Sequence, residues 1–396
     1  MRIESIRLKN FRAFQDLELN NIPPLAFFIG ANGTGKSTLF KVFSFLKDAL
    51  DTNVRTALQR EGGFREWVTR DHESEAILIE IQFRLEISGV ERLVTYHLSI
   101  VEEQGKPIVE REILRYKRGR YGSPFHFLDF SRGNGFAVTN EEDFSKEDGE
   151  LTKEPQQLVS PDTLALKGVG QFQRFKAANA FSSLIENWHV SDFHIMAARQ
   201  RVEVGVAEHL SVTGDNLPLV TKHLYENHRD IFDRILLKMR DRVPGVADVK
   251  AEQTIDGYVV LRFRDEAFKS PFIARNVSDG TIKMFAYLVL LHDPKPHPFL
   301  CIEEPENQLY PELMMSLAEE LRDYARRGGQ VFVSSHSPEM LDAARIEEVF
   351  WLEKADGVTQ IHRADDNPQV KALVEAGDML GWLWNQGFFS KPHSRA

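Results

Sequence analysis

The chain has 396 residues, 42% of them hydrophobic and 27% charged, with a formal net charge of −10 from 49 basic and 59 acidic side chains. That length supplies buried core for about two or three domains, and the acidic balance excludes a wholesale nucleic-acid coat while leaving room for a local basic patch. A single cysteine, Cys301, excludes a disulfide framework or a cysteine-rich zinc site, and no apolar run approaches the length that crosses a bilayer.

The N-terminus, MRIESIRLKNF, alternates apolar and charged residues as a half-buried strand does. It has the form of neither a signal nor a transit peptide, which points to the cytoplasm and away from a membrane. Leu17-Glu18-Leu19 precedes an Asn-Asn-Ile-Pro-Pro turn, and Leu25-Ala26-Phe27-Phe28-Ile29 reads as a buried strand. The next eight residues spell GANGTGKS: Gly30, Ala31, Asn32, Gly33, Thr34, Gly35, Lys36, Ser37. They satisfy the phosphate-binding pattern G-x-x-x-x-G-K-[ST] at every fixed position, and a helical pattern over 37–50 follows. Strand, glycine-rich loop and helix N-terminus in that order make a nest of backbone N–H groups with a helix dipole behind it. Lys36 would reach the β- and γ-phosphates of a nucleotide, and the Ser37 hydroxyl would hold Mg²⁺.

Over 76–116 three alternating runs, ILIEIQFRLEI, RLVTYHLSIV and REILRY, predict an antiparallel meander turned at Ser88-Gly89 and Gln104-Gly105. A basic turn with interleaved tyrosines follows at 115–121, readable as a grip on a DNA backbone or as a solvated hairpin tip. Arg199, Gln200 and Arg201 form a weaker candidate of the same kind. The stretch 140–157 is acid-rich with no apolar period and predicts a mobile loop. Helical patterns cover 171–188 and 217–239, strands resume over 246–252 and 258–263, and 276–353 alternates helix and strand as an α/β sheet would.

Three distal segments carry chemistry. Phe299-Leu300-Cys301-Ile302 is an apolar strand, in which a buried thiol is expected, and it ends in Glu303 and Glu304. An acid pair delivered by a strand is how phosphate-loop ATPases bind Mg²⁺, with the first acid, and polarise the attacking water, with the second. One predicted helix later, over Pro311–Arg326, the strand in VFVSSHSP ends at His336, placed to contact the γ-phosphate or the water. Upstream, NVSDGTIKMFAYLVLL begins a helix for which Ser278 is a candidate N-cap, and whose apolar face is Ile282, Phe285, Ala286, Val289 and Leu290.

Taken together, IESIRLKNFRAFQDLEL, GANGTGKSTLF, VSDGT, CIEEPENQLYP and SSHSPEML resemble, in form and order, the ATP-binding-cassette-like ATPases of the SMC, RecF and OLD-type group. More narrowly they resemble the bacterial "AAA family ATPase" proteins of that group. The resemblance covers both ends of the chain and matches the middle in layout only. It implies an α/β fold: a phosphate-loop ABC-type ATPase head, with a mixed central sheet flanked by helices, an antiparallel β subdomain and an inserted, largely helical lobe. The implied division is 1–54 with the phosphate loop, 55–135 the β subdomain, 136–160 the mobile acidic loop, 161–270 the insertion lobe and 271–396 the second part of the core.

By position, the resemblance assigns the phosphates to Gly30, Asn32, Gly33, Thr34, Gly35, Lys36, Ser37 and Thr38, and a basic residue near the nucleotide to Arg12. It assigns Mg²⁺ to Ser37 and Glu303, catalysis to Glu304 as base with His336 and Lys36, and a γ-phosphate contact in a second subunit to Ser278 and Gly280. The implied cofactors are ATP and Mg²⁺, and the implied assembly is a homodimer closed around ATP. VSDGT in place of LSGGQ disfavours a transporter subunit, Glu303 in place of Asp suggests slow hydrolysis, and the lack of long heptads excludes a full SMC-type arm. Three functions stay open: a switch controlling a separately encoded effector, as in antiphage defence; a RecF-like repair ATPase acting on DNA directly; and a non-hydrolysing ATP-gated scaffold. No nuclease constellation is recognisable in the chain, and the tail 377–384 reads as core packing.

Overall fold

The computed structural model describes residues 1–118, 123–141 and 147–389. Part of the basic turn (Gly119, Arg120 and Tyr121) and part of the acidic loop (142–146) lie outside the described residues. The chain divides into two compact units that interleave in sequence. The first comprises Met1–Pro24, Gly30–Trp188 and Phe350–His362, and the second Leu25–Ile29, His189–Val349 and Arg363–Ala396.

The first unit is built on an eight-stranded antiparallel sheet. Its spatial order is Phe14–Leu19, Arg2–Phe11, Ile77–Ile87, Val90–Glu103, Lys106–Tyr116, Phe125–Ser131, Asn134–Val138 and Lys153–Gln157. Alternation sets its face: Ile77, Ile79, Ile81, Phe83, Leu85 and Ile87 are all buried while the residues between them are not. Three hairpins close with two-residue turns, Ser88-Gly89, Gln104-Gly105 and Arg132-Gly133, in which both residues have positive φ. That is the turn geometry whose twist matches the strands it joins. Helix Lys176–Glu186 covers the buried face, with the Phe181 ring 4.5 Å from that of Phe83 and 4.6 Å from that of Tyr96.

The expectation of a mobile loop over 136–160 needs correction where residues are described. Asn134–Val138 and Lys153–Gln157 pair antiparallel as the edge of this sheet. An edge strand can carry the polar residues that hide it from pattern reading, and the Lys153 ammonium sits over the rings of Phe125 and Phe136, at 5.2 and 4.5 Å.

The second unit centres on four parallel strands in the order His189–Ser191, Phe299–Glu303, Gln330–Ser335 and Leu25–Ile29. Leu25–Ile29 and Gln330–Ser335 are buried at every position, as parallel strands covered on both faces must be. Phe332 fixes the layer, its ring 5.1 Å from that of Phe28 and 4.8 Å from that of Phe299. The Cys301 thiol lies inside this layer, and burial pushes its pKa up. Helices Asp279–Leu291 and Pro311–Arg326 belong to this unit, as does a small antiparallel sheet of Val202–Glu203, Tyr258–Asp265, Val246–Gln253 and Phe272–Ile273. The helical pattern over 217–239 is two helices, Leu217–Asn227 and Arg229–Arg242, broken at His228, whose φ of −138° leaves the helical region. Near the end of the chain, Leu380–Asn385 buries Leu380 and Leu383, and the Gly381 N–H donates to Asp342.

Candidate functional site

The glycine-rich loop takes its shape from its glycines. A Cβ on Gly30 would lie 2.4 Å from the Thr34 hydroxyl and 2.9 Å from the Leu352 carbonyl oxygen, so this position admits only glycine. Gly33 and Gly35 have φ of 79° and 101°, in the left-handed region that favours glycine. Thr34 closes the turn by donating its hydroxyl to the Ala31 carbonyl at 2.8 Å. The Thr34 carbonyl in turn accepts from the Thr359 hydroxyl at 2.8 Å.

Lys36 opens the helix Lys36–Asp51 and is 6% exposed. Its ammonium donates to the Gly30 carbonyl at 2.7 Å and the Ala31 carbonyl at 3.3 Å, which holds it against the loop. No acidic residue occupies the first turn of this helix, so its positive end is not neutralised from within. Asn32 and Ser37 are exposed and Thr38 is half-buried. The same unit holds Arg12, at φ 51°. Its N–H donates to the Trp67 carbonyl at 2.8 Å, its guanidinium lies 4.1 Å from the centre of the Trp67 ring, and it pairs with Glu61. Burial pushes the Glu61 carboxyl up, but Lys41, 2.6 Å away, and Arg12 outweigh it and hold it below its ordinary value.

The acids, the histidine and the serine-led helix all lie in the second unit. Glu303 ends its strand paired with Ser334, and one strand further on Ser335 is paired with Ile29. Three parallel strands therefore end together, and Gly30 follows Ile29 by one peptide bond. Glu304 has φ 41°, an uncommon conformation for a residue with a side chain. Its backbone N–H donates to the Ser334 carbonyl at 3.0 Å. One oxygen of its carboxylate accepts from the Asn307 amide at 2.9 Å, and the other faces His336 Nδ1 at 3.3 Å.

Sequence reading missed three residues that build this turn. Glu306, whose side chain is 5% exposed, accepts from the Ser335 hydroxyl at 2.7 Å and from the His336 backbone N–H at 2.9 Å, and lies 3.5 Å from His336 Nδ1. Asn307 fixes Glu304 directly. Lys283, buried in the helix Asp279–Leu291, donates to the Asn307 carbonyl at 2.6 Å and reaches the Glu304 carbonyl at 3.5 Å. Burial lowers its pKa to about 8, against the upward pull of Glu306, Asp192 and Glu304. The signals were present: a third acid in EEPEN, and a lone cation inside an otherwise apolar helix face.

Ser278 caps that helix, accepting from the Thr281 N–H at 3.3 Å. Gly280 packs closely on the turn after the acids: a Cβ there would lie 3.2 Å from the Gln308 carbonyl oxygen. The basic candidates are used internally where they are described. Arg199 pairs with Asp279 and donates to the Val277 carbonyl, bracing the serine turn, and Arg201 pairs with Asp256 at 2.9 Å. Arg115 faces Glu80 at 3.4 Å, and buried Arg118 donates to the Glu141 carbonyl at 3.2 Å.

A glycine nest opening a helix, and an acid pair and a histidine on neighbouring parallel strands, define the class: a phosphate-loop ATPase head of the ABC type. A family model described as "AAA domain, putative AbiEii toxin, Type IV TA system" matches residues 25–342. The chain belongs to that family, within the ABC-like SMC/RecF-type ATPases. The fold is shared with solved SMC heads. One, the SmcHead bound to the C-winged helix domain of ScpA, is 13% identical with a TM-score of 0.55, over 91% of this chain and 98% of that one. Another, an Smc head with an extended coiled coil bound to the C-terminal domain of ScpA, derived from Pyrococcus furiosus, is 12% identical with a TM-score of 0.54, over 95% and 100%. The DNA replication and repair protein RecF of Lactococcus lactis subsp. cremoris is 39% identical over 61 residues, and that of Lactococcus lactis subsp. lactis 38%. The match spans 15% of this chain and 16% of RecF. No helix among the described residues is long and apolar enough to cross a membrane.

Proposed function

We propose that this chain binds ATP with Mg²⁺, hydrolyses it slowly, and works as half of an ATP-closed homodimer that switches a separately encoded effector in bacterial antiphage defence. The observation that carries the catalytic reading is the shared end of three parallel strands. There Glu303, the strained and doubly held Glu304, and the Ser335-His336 step meet the strand that leads into the glycine loop. Loop N–H groups and Lys36 would bind the phosphates, and Ser37 and Glu303 supply the hard oxygen donors that suit Mg²⁺. When bound, Mg²⁺ would neutralise charge developing on the phosphates. Glu304, with one oxygen anchored by Asn307, would orient the attacking water and take its proton; His336 beside it would contact the γ-phosphate. Arg12, Asn32 and Thr38 are proposed as further nucleotide contacts. The capped turn at Ser278 and Gly280 would complete the site of a second copy, which makes ATP the glue of the dimer.

The defence role is supported by the toxin–antitoxin description of the family model. Glu304→Gln should lower phosphate release by about 100-fold or more and accumulate an ATP-dependent dimer, read by light scattering on a sizing column. Lost turnover without a dimer would leave Glu304 as the base and sink the sandwich. The short match to RecF favours one alternative, an ATPase acting on DNA directly. DNA alone would then raise ATP turnover, whereas an effector-controlling switch would need its partner. Absence of phosphate release under both conditions would leave an ATP-gated scaffold.

A further inference from the structure

At the ends of the parallel strands remote from Glu303, the second unit gathers side chains that ATP chemistry does not use. His209 precedes the helix Leu217–Asn227, Asp293 follows the helix Asp279–Leu291, and His297 precedes the strand Phe299–Glu303. One ligand-capable atom from each of these three residues lies within 4.8 Å of the other two. His209 Nδ1 is 2.8 Å from one carboxylate oxygen of Asp293, whose side chain is 4% exposed. The other oxygen of that carboxylate accepts the Lys295 backbone N–H at 2.8 Å, which fixes the direction the group faces.

The histidines are oriented from behind as well. The His297 ring stacks on that of buried His189, centroids 4.7 Å apart, and its centroid is 5.4 Å from that of His209. Tyr324 donates its hydroxyl to the His297 carbonyl, and the Asn216 amide donates to the His209 carbonyl at 2.9 Å.

We propose that His209, Asp293 and His297 form a binding site for a divalent transition-metal ion of the zinc class. Two imidazoles and one carboxylate are the donor set that zinc accepts and that Mg²⁺ and Ca²⁺, which prefer oxygen throughout, do not. Zinc–ligand bonds of ~2.0–2.2 Å place neighbouring ligand atoms about 3.3 Å apart, so the set closes by small side-chain rotations from its present spread. The Lys295 N–H that already holds the carboxylate is the kind of outer partner that orients metal ligands elsewhere. The ion would pin the connection between the serine-led helix and the carboxylate strand to the segment before Leu217–Asn227. Its role is therefore to brace the frame of the ATPase site, without taking part in the reaction.

The test uses the full chain stripped of metal and titrated with Zn²⁺ or Co²⁺ alone. One equivalent should bind at micromolar concentration or tighter, the Co²⁺ complex should show the absorption of nitrogen and oxygen ligation, and Zn²⁺ should raise the unfolding midpoint by several degrees. His209→Ala, at a partly exposed loop position, and the double variant His209→Ala/His297→Ala should each weaken binding at least tenfold while keeping the circular dichroism of the parent. Glu303→Gln should bind Zn²⁺ as the parent does, which separates this site from the Mg²⁺ site. Stoichiometric binding that survives in the folded double variant would overturn the proposal. So would loss of binding in Glu303→Gln, or no binding by the folded parent.

Discussion

The glycine loop and the carboxylate turn each follow a strand of one parallel sheet, yet they are built by opposite means. The loop is made of backbone: Gly30 has no room for a Cβ, Gly33 and Gly35 supply left-handed φ, and even Lys36 is held by carbonyls. The turn is made of side chains, its own and those of distant segments. Glu304 sits at positive φ without a glycine's licence, steadied by Asn307, by Lys283 from another helix and by the Glu306 link to Ser335 and His336. A backbone site should fail at a single added methyl group and tolerate changes around it. A side-chain site should degrade in steps as each brace is removed, and its residues should couple.

Gly30→Ala is the sharpest way to break that contrast. The new Cβ would overlap both a hydroxyl and a backbone carbonyl, and relief by a shift of the loop costs about 1–3 kcal/mol. Expressed as binding, the upper part of that range is about 100-fold in ATP affinity, measurable with a fluorescent ATP analogue. Affinity equal to the parent's would mean that the loop geometry does not carry nucleotide binding. On the other side of the comparison, Glu306→Ala strands the buried Ser335 hydroxyl and takes its partner from the His336 N–H. It should slow turnover by about 10–100-fold through misplacement of His336, with the KM for ATP little changed. An equal rise in KM would show that Glu306 serves nucleotide binding instead.

This contrast also explains what pattern reading could reach. The glycine loop is legible because a backbone nest needs particular residues at fixed spacing, and every one lies within eight positions. The apolar runs of the parallel strands and the Ser88-Gly89 and Gln104-Gly105 hairpins were legible for the same local reason. The braces of Glu304 were not, since Lys283 lies 21 residues from Glu304 and meets it only after the helix folds onto the turn. Arg199 reads as a surface cation until Asp279, 80 residues along the chain, is seen to claim it. Break points were equally obscure: nothing in Asn227-His228-Arg229 announces the end of a helix in the way a proline would.

A smaller effect is expected at Lys283, where charge rather than shape is the variable. Its ammonium braces the Glu304 turn while charged, and burial brings its deprotonation down to about 8. Turnover should therefore fall by a few fold as pH rises through about 8, because a neutral amine is the weaker donor to the Asn307 carbonyl. Lys283→Arg keeps the charge at every such pH and should remove that alkaline limb at some cost in rate. A limb that persists in Lys283→Arg would assign the titration to another group.

The least effect on turnover, and the clearest on stability, belongs to Glu112 in the antiparallel sheet of the first unit. Its carboxylate is buried and accepts from the Ala165 and Leu166 N–H groups at 2.5 and 3.1 Å and from the Tyr96 hydroxyl at 3.0 Å. Burial raises its pKa from 4.5 to about 7, more than those three donors lower it. A folded-state value above the unfolded one means that the group contributes stability while protonated, fully so below pH 4.5. That contribution is lost as pH rises through about 7, a difference of about 3 kcal/mol. Glu112→Gln stays neutral throughout and should flatten the dependence of the urea midpoint between pH 4.5 and 7, leaving ATP turnover at neutral pH near the parent's. The same slope in both proteins would show that the two backbone N–H groups hold the carboxylate charged after all. The anchoring of helix Ala165–Val169 to the sheet would then be an ionic cap and not a neutral one.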